Sequence, residues 1–119
     1  MTGTDVRAHL RDFALGLPES YEEFPWGESV VKVARRIFLF LDSGAGHGPG
    51  GLSVKLPDSQ AHALSLPGAV PTAYGLGRAG WVRIPSSGEL PEMSVLEDWV
   101  AESYCAVAPK RLVRLLEQA

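Results

Sequence analysis

Residues 29–42 read S-V-V-K-V-A-R-R-I-F-L-F-L-D, and this stretch decides the fold. Its β-branched and aromatic side chains favour strands, and a pair of arginines interrupts them near the middle. We therefore predict two strands, over 30–34 and 37–42. The strict alternation of L-S-V-K-L at 52–56 predicts a third strand, which follows them in the chain.

The flanking sequence predicts helices on both sides and two more strands. Apolar residues at helical spacing predict a first helix over 4–16, and E-E-F-P-W-G-E at 22–28 is typical of a turn. The later elements are predicted as a short helix over 57–66, strands over 70–74 and 81–84, a long helix from Met93 to Val107, and a last helix from Pro109. That order predicts a two-layer α+β fold, with a five-stranded antiparallel sheet and helices on one face. We expect residues 1–119 to form one domain.

The composition is that of an ordinary globular protein, with 45% hydrophobic and 21% charged residues. No apolar run approaches the roughly 20 residues that a membrane helix needs. The N-terminus shows no secretory signal, and Cys105 is the single cysteine, which excludes an intrachain disulfide. We therefore expect a bacterial protein of the cytoplasm.

Charge is unevenly distributed along a chain whose net charge is -3. Residues 30–88 hold six basic and two acidic side chains, whereas 1–29 and 89–108 are strongly acidic. Such segregation can create a positive surface on an acidic protein. The alternative is that these charges only solvate separate faces.

Alternation along the strands divides the sheet residues between two faces. One face is aliphatic and can pack on helices. The other combines bases with aromatics: Lys32, Arg36, Phe38, Phe40, Ser53, Lys55, Trp81 and Arg83. Bases interleaved with aromatics suit phosphate contact and stacking on nucleic-acid bases. The alternative is that the aromatics pack on a loop or on a partner.

The segment G-L-G-R-A-G at 75–80 matches the dinucleotide-binding pattern G-x-G-x-x-G. A dinucleotide loop opens a helix, but here the glycines lead into W-V-R-I, a predicted strand. We predict a flexible turn that holds Arg78 beside Trp81, where an anion would meet Arg78 and backbone amides. The glycine-rich stretch 43–51 likewise joins two strands and is predicted to be a mobile connector.

No catalytic or metal-binding pattern emerges. His9, His47 and His62 lack the spacing of metal ligands, so we expect no metal and no cofactor. Ser103 and Tyr104 lie on a predicted helix rather than on a nucleophile elbow. Cys105 lies beside acidic residues of the same helix, which should raise its pKa. We therefore expect no enzyme activity.

Several segments together resemble the MmcQ/YjbR family over about residues 4–114. They are F-P-W-G-E-S-V-V-K-V-A-R-R-I-F-L-F-L, L-S-V-K-L, P-T-A-Y, G-W-V-R-I and W-V-A-E-S-Y-C-A-V-A-P-K-R. The resemblance implies an α-β3-α-β2-α fold, similar to secretion chaperones and to the double-wing DNA-binding domain of a phage transcription factor. It also implies a DNA-binding label, which rests on that analogy of fold.

The resemblance extends to particular residues of this chain, which are Trp81, Lys55, Pro71 and the triplet Glu102-Ser103-Tyr104. Arg36 and Arg78 stand where the family usually has lysine. The family's tight turn is usually glycine-glycine, and Ala34-Arg35 here leaves open whether that turn is kept. Ala79 and Gly80 replace the basic and histidine residues that the family tends to place before the tryptophan.

Two hypotheses on function follow. The first is a DNA-binding protein whose open sheet face uses Lys32, Arg35, Arg36, Lys55, Arg78, Trp81 and Arg83. The second is a protein-interaction or chaperone-like adaptor, able to self-associate, whose apolar patch is Phe38, Phe40 and Trp81.

Overall fold

The computed structural model describes residues 3–44, 50–73 and 75–118. The helices are α1 (Gly3–Leu15), α2 (Gln60–Leu64), α3 (Met93–Val107) and α4 (Lys110–Glu117), with a short 3-10 helix at Leu76–Ala79. The strands are β1 (Tyr21–Glu23), β2 (Ser29–Val33), β3 (Arg36–Asp42), β4 (Gly51–Lys55), β5 (Val70–Pro71) and β6 (Trp81–Pro85). They form one antiparallel sheet in the order β1-β2-β3-β4-β6-β5.

The α+β class and the antiparallel sheet are confirmed, but the prediction of five strands is wrong. The sixth strand is β1, which overlaps the segment 22–28 that was predicted to be a turn. It has three residues, two of them glutamates, so it lacks the apolar alternation that indicates a strand. Its pairing with β2 and the ion pairs Arg11–Glu22 and Lys32–Glu23 hold it at the sheet edge.

A bulge in β3 changes which side chains face the helices. Val31 pairs with Leu39 and the next residue, Lys32, pairs with Ile37, so Phe38 is the extra residue. Phe38 is fully buried, and its ring meets Tyr104 of α3 edge-on at 5.2 Å between centroids. The prediction that Phe38 lies on the open face is therefore wrong, because the bulge shifts the alternation by one residue.

The turn between β2 and β3 keeps a left-handed conformation without glycine. Ala34 has a φ of 50° and Arg35 a φ of 67°. Two successive positive φ values match the hairpin turn that follows the right-handed twist of the strands. The left-handed conformation costs a residue with a Cβ about 1–2 kcal/mol, so this turn stores strain.

One core joins the sheet to α1 and α3. Leu10 and Ala14 of α1 and Leu96, Val100 and Tyr104 of α3 are fully or almost fully buried against the aliphatic face of the sheet. Among the described residues, no helix combines the length and the apolarity needed to cross a membrane.

The triplet Glu102-Ser103-Tyr104 fastens α3 to three parts of the chain. Glu102 accepts hydrogen bonds from the backbone amides of Asp58 and Ser59. The Ser103 hydroxyl donates to the Phe38 carbonyl (2.6 Å) and accepts from the Lys55 amide (2.8 Å), just beyond the last β3–β4 pair, Leu39–Val54. The Tyr104 hydroxyl donates to the carbonyl of Pro18 at 2.8 Å. These three side chains therefore have structural roles.

Candidate functional site

Four of the predicted cationic residues lie at one end of the sheet, which we call the basic end: Arg35, Arg36, Lys55 and Arg78. Arg35 and Arg36 are at the tip of the β2–β3 hairpin, and Lys55 ends β4. Arg78 lies in the 3-10 helix just before β6, whose first residue pairs with Lys55. Both hairpin arginines and Arg78 are exposed, and Lys55 is half-buried.

No acidic side chain neutralises these four residues within 3–44, 50–73 and 75–118. Every ion pair found there uses a different base, namely His9, Arg11, Lys32, Arg83 or Arg111. The basic end therefore carries uncompensated positive charge on a protein of net charge -3.

Lys32 and Arg83 differ from those four residues, although the sequence predicts the same role for them. The Lys32 ammonium lies 2.9 Å from the Glu23 carboxylate, which raises the pKa of Lys32. The Arg83 guanidinium donates two hydrogen bonds to Asp42, at 2.8 and 3.1 Å, and these raise the pKa of Arg83. Both cations are held by acidic side chains from other strands, so neither is poised for a phosphate.

Trp81 lies in the sheet but does not offer a stacking platform. Its side chain is only 7% exposed, and it meets Phe40 at 5.3 Å between ring centroids with the planes 69° apart. A base can stack only on an accessible ring face. The prediction of base stacking on Trp81 is therefore wrong for this structure.

The predicted apolar patch is likewise not an exposed surface. Phe38 is buried against Tyr104 and Trp81 is almost completely covered, so only Phe40 of the three is partly accessible. Phe40 instead lines a groove on the open face of the sheet, which extends from the strand ends opposite the basic end to Leu76, in the 3-10 helix that carries Arg78. We call this region, lined by Trp26, Val30, Phe40, Ser53, Thr72, Leu76 and Arg83 among others, the groove end.

The groove end has a volume of about 650 Å³ and is lined on one side by Trp26 and Glu28 and on the other by Thr72, Ala73 and Leu76. Trp26 is 70% exposed, and its ring lies within 18° of parallel to that of Phe40, with centroids 6.3 Å apart. The sequence prediction missed Trp26 because it occupies a turn, where neither helical nor strand periodicity assigns it to a face. A tryptophan two residues beyond a phenylalanine in a short turn is the signal that could have indicated an exposed aromatic site.

The G-L-G-R-A-G segment forms a tight turn rather than a dinucleotide loop. Gly75 and Gly80 have left-handed φ values of 80° and 92° and bracket the 3-10 helix Leu76–Ala79. The chain then enters β6, so no α-helix follows the glycines. The predicted position of Arg78 before Trp81 is confirmed, but as part of a short helical turn.

Other reactive groups do not form a site in the described chain. No cluster of three or more potential metal ligands occurs among the described residues, and His47 and most of the 43–51 connector lie outside them. His9 contacts Glu97, and His62 packs edge-on against Trp99. Partial burial, together with Glu117, raises the pKa of the Cys105 thiol. The direction agrees with the prediction, but the acidic neighbour is Glu117 of α4.

Comparison with known proteins places this fold in a family. The family model described as YjbR matches residues 15–106. Among solved structures, the chain is similar to the Deinococcus radiodurans protein DR2400, described as carrying a DUF419 domain, with 27% identity and a TM-score of 0.67. That match covers 92% of this chain and 86% of the other. No protein with a curated description matches the sequence. Because the family model spans most of the sequence, the chain belongs to the YjbR family.

Proposed function

We propose that this protein binds DNA through the basic end of its sheet. The observation that carries the proposal is the uncompensated charge of Arg35, Arg36, Lys55 and Arg78 at that end. Protein cations that contact phosphates release condensed counterions, which supplies most of the sequence-independent affinity for DNA.

The shape of the hairpin supports the same function. Its two arginines are adjacent and exposed at a narrow two-residue turn, so both side chains are accessible to a DNA backbone. The acidic segments at 1–29 and 89–108 repel phosphates, so the field of the protein orients the basic end toward DNA. The expected binding is independent of sequence and of modest affinity.

Fluorescence anisotropy of a labelled DNA duplex at about 50 and about 200 mM salt tests the proposal. Four phosphate contacts predict a loss of roughly 100-fold in affinity between the two concentrations. The variant Arg35→Ala/Arg36→Ala retains two contacts and should lose only about tenfold over the same range, from a weaker starting affinity. Lys110→Ala/Arg114→Ala is the matched control, because it removes the same charge from exposed positions of α4.

The control separates a specific surface from a general charge effect. DNA binding by the basic end predicts that the α4 variant keeps the affinity and the salt dependence of the wild type. Equal losses in both variants, or no binding of the wild type at the lower salt, would contradict the proposal.

A second candidate function is the docking of a protein partner on the aromatic edge of the sheet. Tyr21 of β1 is 37% exposed, and Phe24 and Trp26, which follow it, are 60% and 70% exposed. Exposed aromatics beside an edge strand favour protein contact that salt barely weakens. Light scattering on the eluting protein tests self-association: a strict monomer limits this candidate to a different protein, and a dimer that Phe24→Ala dissociates supports it.

We also propose that the protein has no catalytic activity. The support is that Ser103 and Tyr104 direct their hydroxyls into structural hydrogen bonds and that the Cys105 thiol has a raised pKa. Stoichiometric reaction of a serine-directed probe, or reaction of Cys105 with iodoacetamide faster than that of a free cysteine peptide, would contradict it.

A further inference from the structure

The groove end contains two hydroxyl groups with no hydrogen-bond partner among the described residues. Ser53 is only 3% exposed, lines the groove and lies between Phe40 and Arg83 in the sheet register. The Thr72 hydroxyl, on the opposite wall, is also buried and lacks a partner there. Buried polar groups in folded proteins are nearly always paired, so the unpaired Thr72 hydroxyl, together with the Ser53 hydroxyl in the same groove, points to a ligand that pairs with them.

The rest of the groove favours a flat apolar body. Val30, Phe40, Leu76 and the exposed ring of Trp26 supply its apolar lining. Aromatic rings stabilise one another in offset or edge-on arrangements, and Trp26 has a free ring surface for such a contact. A volume of about 650 Å³ falls in the range of small-molecule sites.

The charges around the groove disfavour an anion. The Arg83 guanidinium is already neutralised by Asp42, and Glu28 adds a carboxylate to the lining. Glu28 accepts hydrogen bonds from the Ser43 amide and hydroxyl, which keep its carboxylate in place. The lining carries two carboxylates, Glu28 and Asp42, and one guanidinium, Arg83, and so has one net negative charge that a carboxylate ligand would meet, whereas a neutral oxygen acceptor can accept from both hydroxyls without that cost.

We propose that the groove end binds a neutral, planar aromatic molecule that carries a carbonyl or amide oxygen. The aromatic body lies against Trp26 and Phe40, and the oxygen accepts hydrogen bonds from the hydroxyls of Ser53 and Thr72. This site is independent of the proposed binding of DNA, because none of the four residues of the basic end lines the groove.

Titration of the whole chain with naphthamide, followed by heteronuclear NMR, tests the proposal. We expect a dissociation constant of about 1 mM or tighter, with the largest shifts at the Trp26 indole and the Ser53 amide. Naphthoate, the carboxylate of nearly the same shape, should bind about tenfold more weakly because the Glu28 carboxylate leaves the lining with one net negative charge.

Three variants locate the site. Ser53→Ala/Thr72→Val removes both hydroxyls with little change in volume and should weaken naphthamide binding about tenfold. Trp26→Ala should weaken naphthamide binding by a similar factor. Because the Trp26 side chain is 70% exposed, this substitution should leave the fold intact. Leu115→Ala is the control, because Leu115 of α4 is an exposed large hydrophobic side chain that does not line the groove.

Three outcomes would overturn the proposal. The first is naphthoate binding as tightly as naphthamide, and the second is unchanged naphthamide affinity in both groove variants. The third is no naphthamide binding while light scattering shows a dimer that Trp26→Ala dissociates, since the groove would then be occupied by a second copy of the chain.

Discussion

The two ends of the sheet differ in how their charges are handled. At the basic end, Arg35, Arg36 and Arg78 are exposed and lack acidic partners among the described residues. At the groove end, Arg83 is fixed by Asp42, and the unmet polar groups are neutral hydroxyls in an apolar setting.

This difference shows that counting bases along the sequence is a poor guide to an anion site. Lys32 and Arg83 lie on strands of the same sheet as Lys55, yet each is held by an acid from another strand. A cation is available for binding when the fold leaves it without an acidic partner, and it is structural when an acidic side chain from another strand holds it. On this ground we expect charged ligands at one end and neutral ligands at the other.

The largest expected effect is the loss of stability on removal of the Ser103 hydroxyl, which binds the backbone of Phe38 and of Lys55 at the basic end. Ser103→Ala leaves the Phe38 carbonyl and the Lys55 amide without this partner, which should lower the free energy of unfolding by about 1–3 kcal/mol. Urea denaturation measures the loss, and hydrogen exchange should quicken at the Lys55 amide.

A matched serine at the other end is the control for Ser103. The Ser86 hydroxyl donates to the Gly50 carbonyl, but that carbonyl also accepts from the Ser86 amide and so keeps a partner after Ser86→Ala. The expected cost is about 0.5–1 kcal/mol. Equal costs for both variants would show that Ser103 does not support the basic end in the way described.

The next largest effect is expected from a substitution that allows the groove end to bind an anion. Asp42→Asn removes one carboxylate from the Arg83 guanidinium and one negative charge from the lining. We expect naphthoate affinity to rise roughly tenfold while naphthamide affinity stays the same, as measured by NMR titration. A parallel rise for both ligands would contradict the electrostatic account of the groove.

A smaller effect is expected from the hairpin that carries the basic tip. Ala34→Gly relieves a positive φ of 50° but adds entropy to the unfolded chain, so the net stabilisation should be about 0.5–1 kcal/mol. Thermal or urea unfolding measures it, and DNA binding should persist because both arginines remain. Destabilisation would show that the turn is not strained.

The smallest effect concerns the Cys105 thiol, which follows the triplet on α3. Burial and Glu117 raise its pKa, so less thiolate is present at neutral pH and alkylation by iodoacetamide should be slower than that of a free cysteine peptide. The rate should rise only as pH increases through the raised pKa. Glu117→Gln should speed the reaction slightly. Arg35→Ala/Arg36→Ala is the control, and it should leave the alkylation rate unchanged because the positive charge of the basic end does not act on this thiol.

The sequence predicted the strands well where their pattern is local. The segments β2, β3 and β4 are rich in β-branched and apolar residues, and all three predictions are confirmed within one or two residues. The bulge at Phe38 could not be predicted, because it depends on Tyr104 and Ser103, which lie more than sixty residues away in the chain.

The sites were predicted only in part for a similar reason. The hairpin arginines were identified because adjacent bases in a turn are exposed whatever the tertiary structure. The pairing of Lys32 and Arg83 with acids, the burial of Trp81 and the groove beside Trp26 all arise when distant segments meet.

The most direct test of the two-ended account is one heteronuclear NMR titration of the protein with a short DNA duplex at low salt, repeated with naphthamide present. We predict that DNA shifts the amides of Arg35, Arg36, Lys55 and Arg78, and that naphthamide adds shifts at Trp26, Ser53 and Thr72 without displacing the DNA. DNA-induced shifts centred on Trp26 and Thr72, or competition between the two ligands, would contradict the account.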